Sequence, residues 1–438
     1  MTLFSPCVRR RWRPATLALA GLLPAVLAAQ DTTSAVRIGL TYATGTRPGV
    51  FVAPVSGAFA DSVRAIIGRD LDYGDRITAI VPDGGDPPTG ALNYPLYARL
   101  GAQAVVQAAV TPSGSLHIAL HDIAAAKVSM VGDFPMPQPA LTPQWRLAVH
   151  GAADEVERWV TGTRGIAQSR ILFVRDKGLW IVDSDGANAR PIGIGGSTAS
   201  TALSPAWHPS GRYIAYCEMS DAGTRIILRD LVANRSQRIS ARPGSNMTPA
   251  FSPDGNTLAF AAGADGTDLF AVNPFTGEAP HRVTVSRGAQ DSSPSFSPDG
   301  RQIAFTSNRL GHPEVYIVDA DGANVELLTS SGFGDQLYRS NPDWSPDGRR
   351  VAFQSQINGV FQVMTINARD RSVQALTSEG RNEDPTWAPD GRHIVFTSTR
   401  SGAKQLWVLD TETYRMRQLT HVGSARQGAW SPRLDNAK

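Results

Sequence analysis

From residue 205 onward one arrangement of apolar and polar positions returns again and again. It reads PAWHPSGRYIAY (205–216), PAFSPDGNTLAF (249–260), PSFSPDGRQIAF (294–305), PDWSPDGRRVAF (342–353) and PTWAPDGRHIVF (385–396). A sixth copy, GAWSPR (428–433), begins and stops. The starts advance by 44, 45, 48, 43 and 43 residues, and a period of ~40–45 predicts one four-stranded propeller blade per repeat. An aromatic (Trp207, Phe251, Phe296, Trp344, Trp387, Trp430) is placed to pack between neighbouring blades. In the Ser-Pro-Asp-Gly that follows, Pro presets φ at the second turn position, Asp tolerates the third and Gly relieves strain after it. Then comes a strand with large apolar residues at alternate positions: Leu258/Phe260, Ile303/Phe305, Val351/Phe353, Ile394/Phe396. Each is expected to contribute about 1.5–3 kcal/mol by burial. A third strand and a tight hairpin, such as LWIVDSDGANARPI (179–192) and VYIVDADGANVELL (315–328), complete the unit.

The two ends of the repeat region complement each other. ILFVRDKGLWIVD, from Ile171, supplies a second and third strand without a first; GAWSP supplies a first strand without a second. One blade built from both termini closes a six-bladed ring and removes exposed sheet edges. A five-bladed or open array is the competing reading.

Residues 35–165 do not repeat. Strands are expected at 36–41, 50–55, 77–81, 104–110, 116–123 and 127–131. Helices are expected at 58–71, with Phe59, Val63, Ile66 and Ile67 on one face, at 94–100, and at 144–161. Residues 82–90 and 132–143 read as loops and 162–170 as a hinge. The whole is thus expected to be mainly β: 1–29 a signal peptide, 30–165 a small α/β domain, 166–433 the propeller, 434–438 a tail.

Composition alters this picture at one end only. The formal charge of +3 rests on Arg9, Arg10, Arg11 and Arg13; without them it is −1, which argues against a nucleic-acid binder. Those arginines precede an apolar run, Leu17 to Ala29, that exits through Ala28-Ala29 into polar residues. This is the layout of a secretory signal. The run is shorter than the ~20 residues of a comfortable membrane span; a retained anchor is the other reading. Cys7 would leave with the signal, and Cys217, then alone, reads as a small core residue.

The early VRIGL, RPGVFVAPV, LGAQAVVQAAVTPSGSLHIALHDI, HGAADEVERWVTGTRGIAQSRI and the terminal GAWSP together resemble the TolB family, periplasmic propeller components of the Tol-Pal system. The resemblance covers roughly 35–433. It departs at Gln30 to Ser34, at the His-Pro-Ser-Gly of the first repeat and at the tail. It implies a non-enzymatic periplasmic adaptor. Such a protein binds a Pal-like peptidoglycan-associated lipoprotein through a propeller face and a TolA-like inner-membrane-anchored protein through its mature N-terminal segment, supporting outer-membrane constriction in division and envelope integrity. On this reading the chain is a monomer with no cofactor.

The residues just before each first strand are expected at one mouth of the channel: Ser245, Asn246, Met247 and Thr248; Gln290, Asp291, Ser292 and Ser293; Ser340 and Asn341; Asn382, Glu383 and Asp384. Polar, varied residues on a rigid ring suit a partner surface, as Val36, Arg37 and Ile38 suit strand addition to a TolA-like partner. His117 and His121 lie four apart, but in a strand and without an adjacent Glu, which argues against zinc. The DxDGxN turns (Asp183, Asp185, Asn188; Asp319, Asp321, Asn324) echo calcium loops, yet Gly comes early and no Glu closes them, so hairpin turns are the better reading. Gly-x-Ser-x-Gly, GxxxxGK[ST] and GxGxxG are absent from the sequence. The alternatives are a ligand- or peptide-binding propeller of the peptidase-associated kind without its hydrolase domain, and a sugar or cell-wall sensor.

Overall fold

The computed structural model describes residues 47–86, 88, 90–193, 200–329, 338–421 and 423–435. The signal at 1–29, the strand at 36–41 and the candidate contacts Val36, Arg37 and Ile38 lie outside the described residues. The fold is mainly β: a six-bladed propeller preceded by a small α/β portion.

That portion is a five-stranded sheet, β1 (Gly49–Val52), β2 (Thr78–Ile80), β3 (Ala104–Val110), β4 (Ser115–Asp122) and β5 (Lys127–Pro135), in the order β2-β1-β3-β4-β5. β1 pairs in parallel with β2 and β3, and β3-β4-β5 is an antiparallel meander. The loop expected from residue 132 begins later, because Gly132–Pro135 continue β5 against Ser115–Ile118. Two helices, α1 (Ala60–Tyr73) and α3 (Pro143–Thr161), cover one face; a short α2 (Tyr94–Arg99) lies between β2 and β3 in sequence. Alternation splits β1 cleanly. Val50 and Val52 join the core under α1 and α3, while Phe51 and Ala53 meet Leu92, Tyr94 and Tyr97 on the other face. α3 starts cleanly because Thr142 Oγ1 accepts the Trp145 N–H and Pro143 takes the first helical position.

Each blade is four antiparallel strands. The inner strands are Thr201–Trp207, Ser245–Phe251, Asp291–Phe296, Arg339–Trp344 and Asn382–Trp387 in blades 2 to 6. Blade 1 takes its inner strand, Arg426–Trp430, from the chain's end and its second, Arg170–Arg175, from the start of the ring; Trp430 pairs with Ile171 and Ala429 with Leu172. Inner strands touch around the axis, including the last against the first. At the far end of each inner strand the Ser-Pro-Asp-Gly turn reverses the chain. Gly255, Gly300, Gly348 and Gly391 sit there at φ 75, 73, 72 and 66°, which a side chain would strain.

The alternation in the second strands has a particular meaning here. Phe260 and Phe305 are fully buried, but so are Ala259 and Ala304 between their neighbours. Both faces of a blade are covered, so large and small residues alternate instead of apolar and polar. The core is accordingly a set of layers between blades: Leu172, Val174 and Leu179 of blade 1 pack on Ile214 and Tyr216 of blade 2, and Ala215 and Cys217 of blade 2 pack on Leu258 and Phe260 of blade 3.

Trp430 holds the closing joint. It is buried in the layer between blades 6 and 1, and its Nε1–H donates to Ser169 Oγ at 2.8 Å. Trp430→Ala is expected to cost about 3–5 kcal/mol and Ser169→Ala about 1 kcal/mol in equilibrium denaturation of the whole chain.

Candidate functional site

Five of the six inner strands carry a polar residue before a proline: Ser204-Pro205, Thr248-Pro249, Ser293-Pro294, Asn341-Pro342 and Asp384-Pro385. The sixth has Gln427-Gly428. Proline offers no N–H and a fixed φ, so the ladder cannot continue straight. The register slips there in every blade. All six polar residues turn into the left-handed region, at φ 48, 49, 52, 53, 53 and 54° in chain order. A β-branched residue rarely tolerates this, and Thr248 does so because the ring holds it. Five of the six bulged N–H groups are met by side chains: Ser293 N by Thr248 Oγ1 at 3.0 Å, Asn341 N by Thr306 Oγ1 at 3.1 Å, Asp384 N by Gln354 Oε1 at 2.9 Å, Gln427 N by Thr397 Oγ1 at 3.0 Å and Ser204 N by Gln427 Oε1 at 3.1 Å. The ring is cross-linked as well: Ser293 Oγ donates to Asn341 Oδ1 at 3.0 Å and Asn341 Nδ2 to Asp384 Oδ1 at 2.7 Å.

These six residues form a polar waist in the channel. On the side where the inner strands begin lies a chamber of about 450 Å³, its upper wall made partly by Leu203, Met219 and Met247. On the side of the turns lies a second space of about 430 Å³ bordered by Trp207, Trp344, Trp387, Trp430 and the turn prolines. Asp343 lines both. Its carboxylate accepts from Ser295 Oγ at 3.1 Å and Trp387 N at 2.7 Å, and burial pushes its pKa up to about 6. Burial, reinforced by Glu383, also raises Asp384 above the usual carboxylate range.

The expected site residues divide. Met247, Thr248, Ser292, Ser293, Asn341 and Asp384 line the chamber; Gln290 is exposed and Ser245 half-buried beside it. None of the four segments simply precedes its strand, since Ser245–Thr248, Asp291–Ser293, Ser340–Asn341 and Asn382–Asp384 lie within the inner strands. Asn246, Asp291 and Asn382 are corrected outright as presented side chains: all three are fully buried and Ser340 nearly so. Asn246 donates to the Arg242 and Thr224 carbonyls and accepts from Ser240 Oγ and Arg242 N. Asp291 holds Arg309 at 2.9 Å, and Asn382 donates to Gln362 Oε1 at 2.8 Å. Alternation, read as loop, hid this inward half. Ser204, Asp343, Thr386 and Gln427 also line the chamber and escaped the sequence reading. The signal that finds Ser204 and Gln427 is the polar residue three places before the repeated aromatic; Asp343 and Thr386 stand immediately before it.

The opposite end of the ring is occupied by the α/β portion, through a buried charge network. The DxDGxN turn of blade 1 is a hairpin whose Asp183 receives Arg146 of α3 at 3.0 Å and Arg170 at 3.1 Å, and whose Asp185 receives Arg146 at 2.8 Å and Arg69 of α1 at 3.2 Å. In the other such turn, Asn324 donates to Asp319 at 2.7 Å and Ala323 N to Asp321 at 2.9 Å. His150 of α3 sits 2.7 Å from Asp70 and 3.9 Å from Asp183. Burial opposes its charge, yet these carboxylates outweigh burial and raise its pKa to about 10. Lower down, Arg76 bridges Glu157 at 3.2 Å and Asp390 at 3.1 Å. His393 bridges Asp390 at 2.8 Å and Asp75 at 3.3 Å, and the same balance raises it to about 9. Burial pushes Asp154 and Glu157 up to about 7 each. Asp70, His150 and Asp185, and Asp75, His393 and Asp410, bring metal-ligating atoms together, but Arg69 and Arg146 already pair with Asp185, Arg392 with Asp410 and Arg415 with Asp75, and Asp70 pairs with His150 itself. His117 and His121 are likewise engaged, by Asp133 at 2.8 Å and by Tyr94 Oη and Gln107 Oε1, both at 3.1 Å.

Residues 157–434 match the family model described as the TolB beta propeller domain. The Tol-Pal system protein TolB of Gluconobacter oxydans (strain 621H) is 29% identical over 254 residues, 55% of this chain and 54% of that protein. The chain thus spans about half the length of that curated relative. The crystal structure of TolB from Acinetobacter baumannii matches with a TM-score of 0.76 and 24% identity, covering 88% of this chain and 97% of that one, a likeness of fold. A chain of the nidogen/laminin complex, at 12% identity and TM-score 0.51 over 60% of this chain and 98% of its own, is also similar in fold alone.

Two outcomes follow from this geometry. Asn246→Ala is expected to lower stability by about 2–3 kcal/mol because it strands several buried partners; Thr248→Ala is expected to stay within about 1 kcal/mol. Urea titrations of both variants check this. Asp154 and Glu157, with pKa values near 7, and His150 and His393, near 10 and 9, all bind protons more tightly folded than unfolded. Stability therefore falls as pH rises, through the carboxylates from about 4 to 7 and through the histidines from about 6.5 to 10. Asp183, Asp390 and Asp410, held low by cationic partners that outweigh burial, act only in acid, where their contribution is lost. Melting temperature is thus expected to peak in mild acid, and Glu157→Gln to flatten the fall below pH 7.

Proposed function

The chain belongs to the TolB β-propeller family, and from that premise we propose that it is a non-enzymatic periplasmic adaptor of a Tol-Pal system. A Pal-like peptidoglycan-associated lipoprotein docks on the chamber end of the propeller. The segment containing Val36, Arg37 and Ile38 pairs with a TolA-like inner-membrane-anchored protein. The linked pair supports outer-membrane constriction in division and envelope integrity. No helix among the described residues is long and apolar enough to cross a membrane.

One observation carries the docking site. The α/β portion contacts the turn end through Asp183, Asp185, Asp390 and Arg392, and no described residue of that portion lines the chamber at the other end. A rigid ring whose strained polar residues are fixed by cross-strand hydrogen bonds reorganises little on binding, which favours a specific protein contact. Alternating apolar residues in VRIGL suit pairing with an open sheet edge, where backbone groups supply affinity.

Calorimetry of residues 30–438 against the soluble domain of the host's own Pal-like lipoprotein is expected to give saturable one-to-one binding. Thr248→Arg or Ser293→Arg is expected to weaken it at least about tenfold by filling the chamber, while Asp321→Ala, at the turn end, leaves it unchanged. No binding by folded protein removes the adaptor reading and favours a small-ligand propeller. Deleting residues 30–36 is expected to abolish capture of the TolA-like protein; undiminished capture removes that half of the proposal.

A further inference from the structure

Resting on the adaptor reading, we infer that the chamber receives one cationic group on an apolar stem, a lysine or arginine side chain that the docked partner offers to Asp343 and Asp384.

The contrast with the rest of the molecule leads to this assignment. Several deeply placed carboxylates elsewhere meet guanidinium groups: Asp183 meets Arg146 and Arg170, Asp390 meets Arg76, Asp291 meets Arg309. Asp154, enclosed by protein and held by Ala167 N and Gln168 N, does not, but it does not line the chamber. Asp343 and Asp384 form no ion pair with any described residue. Their hydrogen bonds are to neutral groups, Ser295 Oγ and Trp387 N for Asp343, Asn341 Nδ2 and Thr397 Oγ1 for Asp384. The described residues lining the chamber include no lysine, arginine or histidine. Lys404 comes near, but it is held 2.7 Å from Glu383. Two carboxylates at the base of an otherwise neutral chamber thus lack a counter-charge, and a buried charge without one is costly.

The walls select the kind of cation. Leu203, Met219 and Met247 border the chamber above the waist, so an entering group passes apolar surface before it reaches the carboxylates. Lysine and arginine carry their charge on such a stem. A bare divalent cation such as calcium is better served by six to eight oxygens and gains nothing from the apolar wall. A volume of about 450 Å³ admits a single long side chain with water around it.

The test uses n-butylguanidinium as the probe, n-butanol as its neutral counterpart and calcium as the bare cation, each titrated into residues 30–438 by calorimetry. Saturable uptake of n-butylguanidinium is expected, at least about tenfold tighter than n-butanol, and at least about tenfold weaker in Asp384→Asn and in Asp343→Asn. Equal uptake of the alcohol, unchanged uptake by both variants, or uptake of calcium but not of the guanidinium would overturn the inference. If Asp343→Asn fails to fold, Asp384→Asn decides alone. No partner protein is involved, so failure here leaves docking of the lipoprotein standing. Conversely, guanidinium uptake by a chain that binds no lipoprotein removes only the adaptor reading.

Discussion

A single blade cannot cover both of its own faces, and every other feature of the propeller depends on that constraint. Four short strands bury enough apolar surface only when a blade lies on each side, so the sixth interface must close on the first. Closure here is non-covalent. Arg426–Trp430 pairs with Arg170–Arg175, and the Trp430 indole and Ser431 reach back to Ser169 and Arg170. Once the ring is closed, the inner strands are locked side by side, and the left-handed residues at the waist can be held against their own preferences.

Charge is distributed asymmetrically along the axis. At the turn end, helices α1 and α3 lay Arg69, Arg146 and His150 against the aspartates of blade 1, and Arg76, just after α1, meets Asp390 of blade 6. At the other end the carboxylates of Asp343 and Asp384 are solvated only by hydroxyl, amide and N–H groups. The first arrangement joins two parts of one chain. The second leaves negative charge in a concave, partly apolar space, which is the condition under which an incoming cation gains most. The proposed adaptor role fits this polarity: one end of the ring is committed to the chain's own α/β portion, and no described residue of that portion lines the chamber at the other.

Much of the architecture is legible in the chain itself. The repeat of aromatic, Ser-Pro-Asp-Gly and strand marks the blades because turn chemistry and apolar spacing are local properties. The half-repeats at Ile171 and Gly428 identify the joint because counting strands needs no coordinates. The site was legible only in part. Thr248, Ser293, Asn341 and Asp384 line the chamber, whereas Asn246, Asp291 and Asn382, grouped with them by the sequence, are buried. Within a strand, which of two polar neighbours faces the axis depends on the bulge, and the bulge depends on how the strand pairs.

The sequence by itself therefore determined the kind of unit, the number of units and the way they close, since these follow from local conformational preference and from the spacing of residues that must be buried. Tertiary structure alone decided which polar groups meet across the axis and which carboxylates find an arginine. Asp390 is paired with Arg76, 314 residues away, whereas Asp384, six residues before it, is not paired with any described cation. Ion pairing depends on distance in space, and in a ring that brings residues from six blades to one axis, separation along the chain carries no information about it.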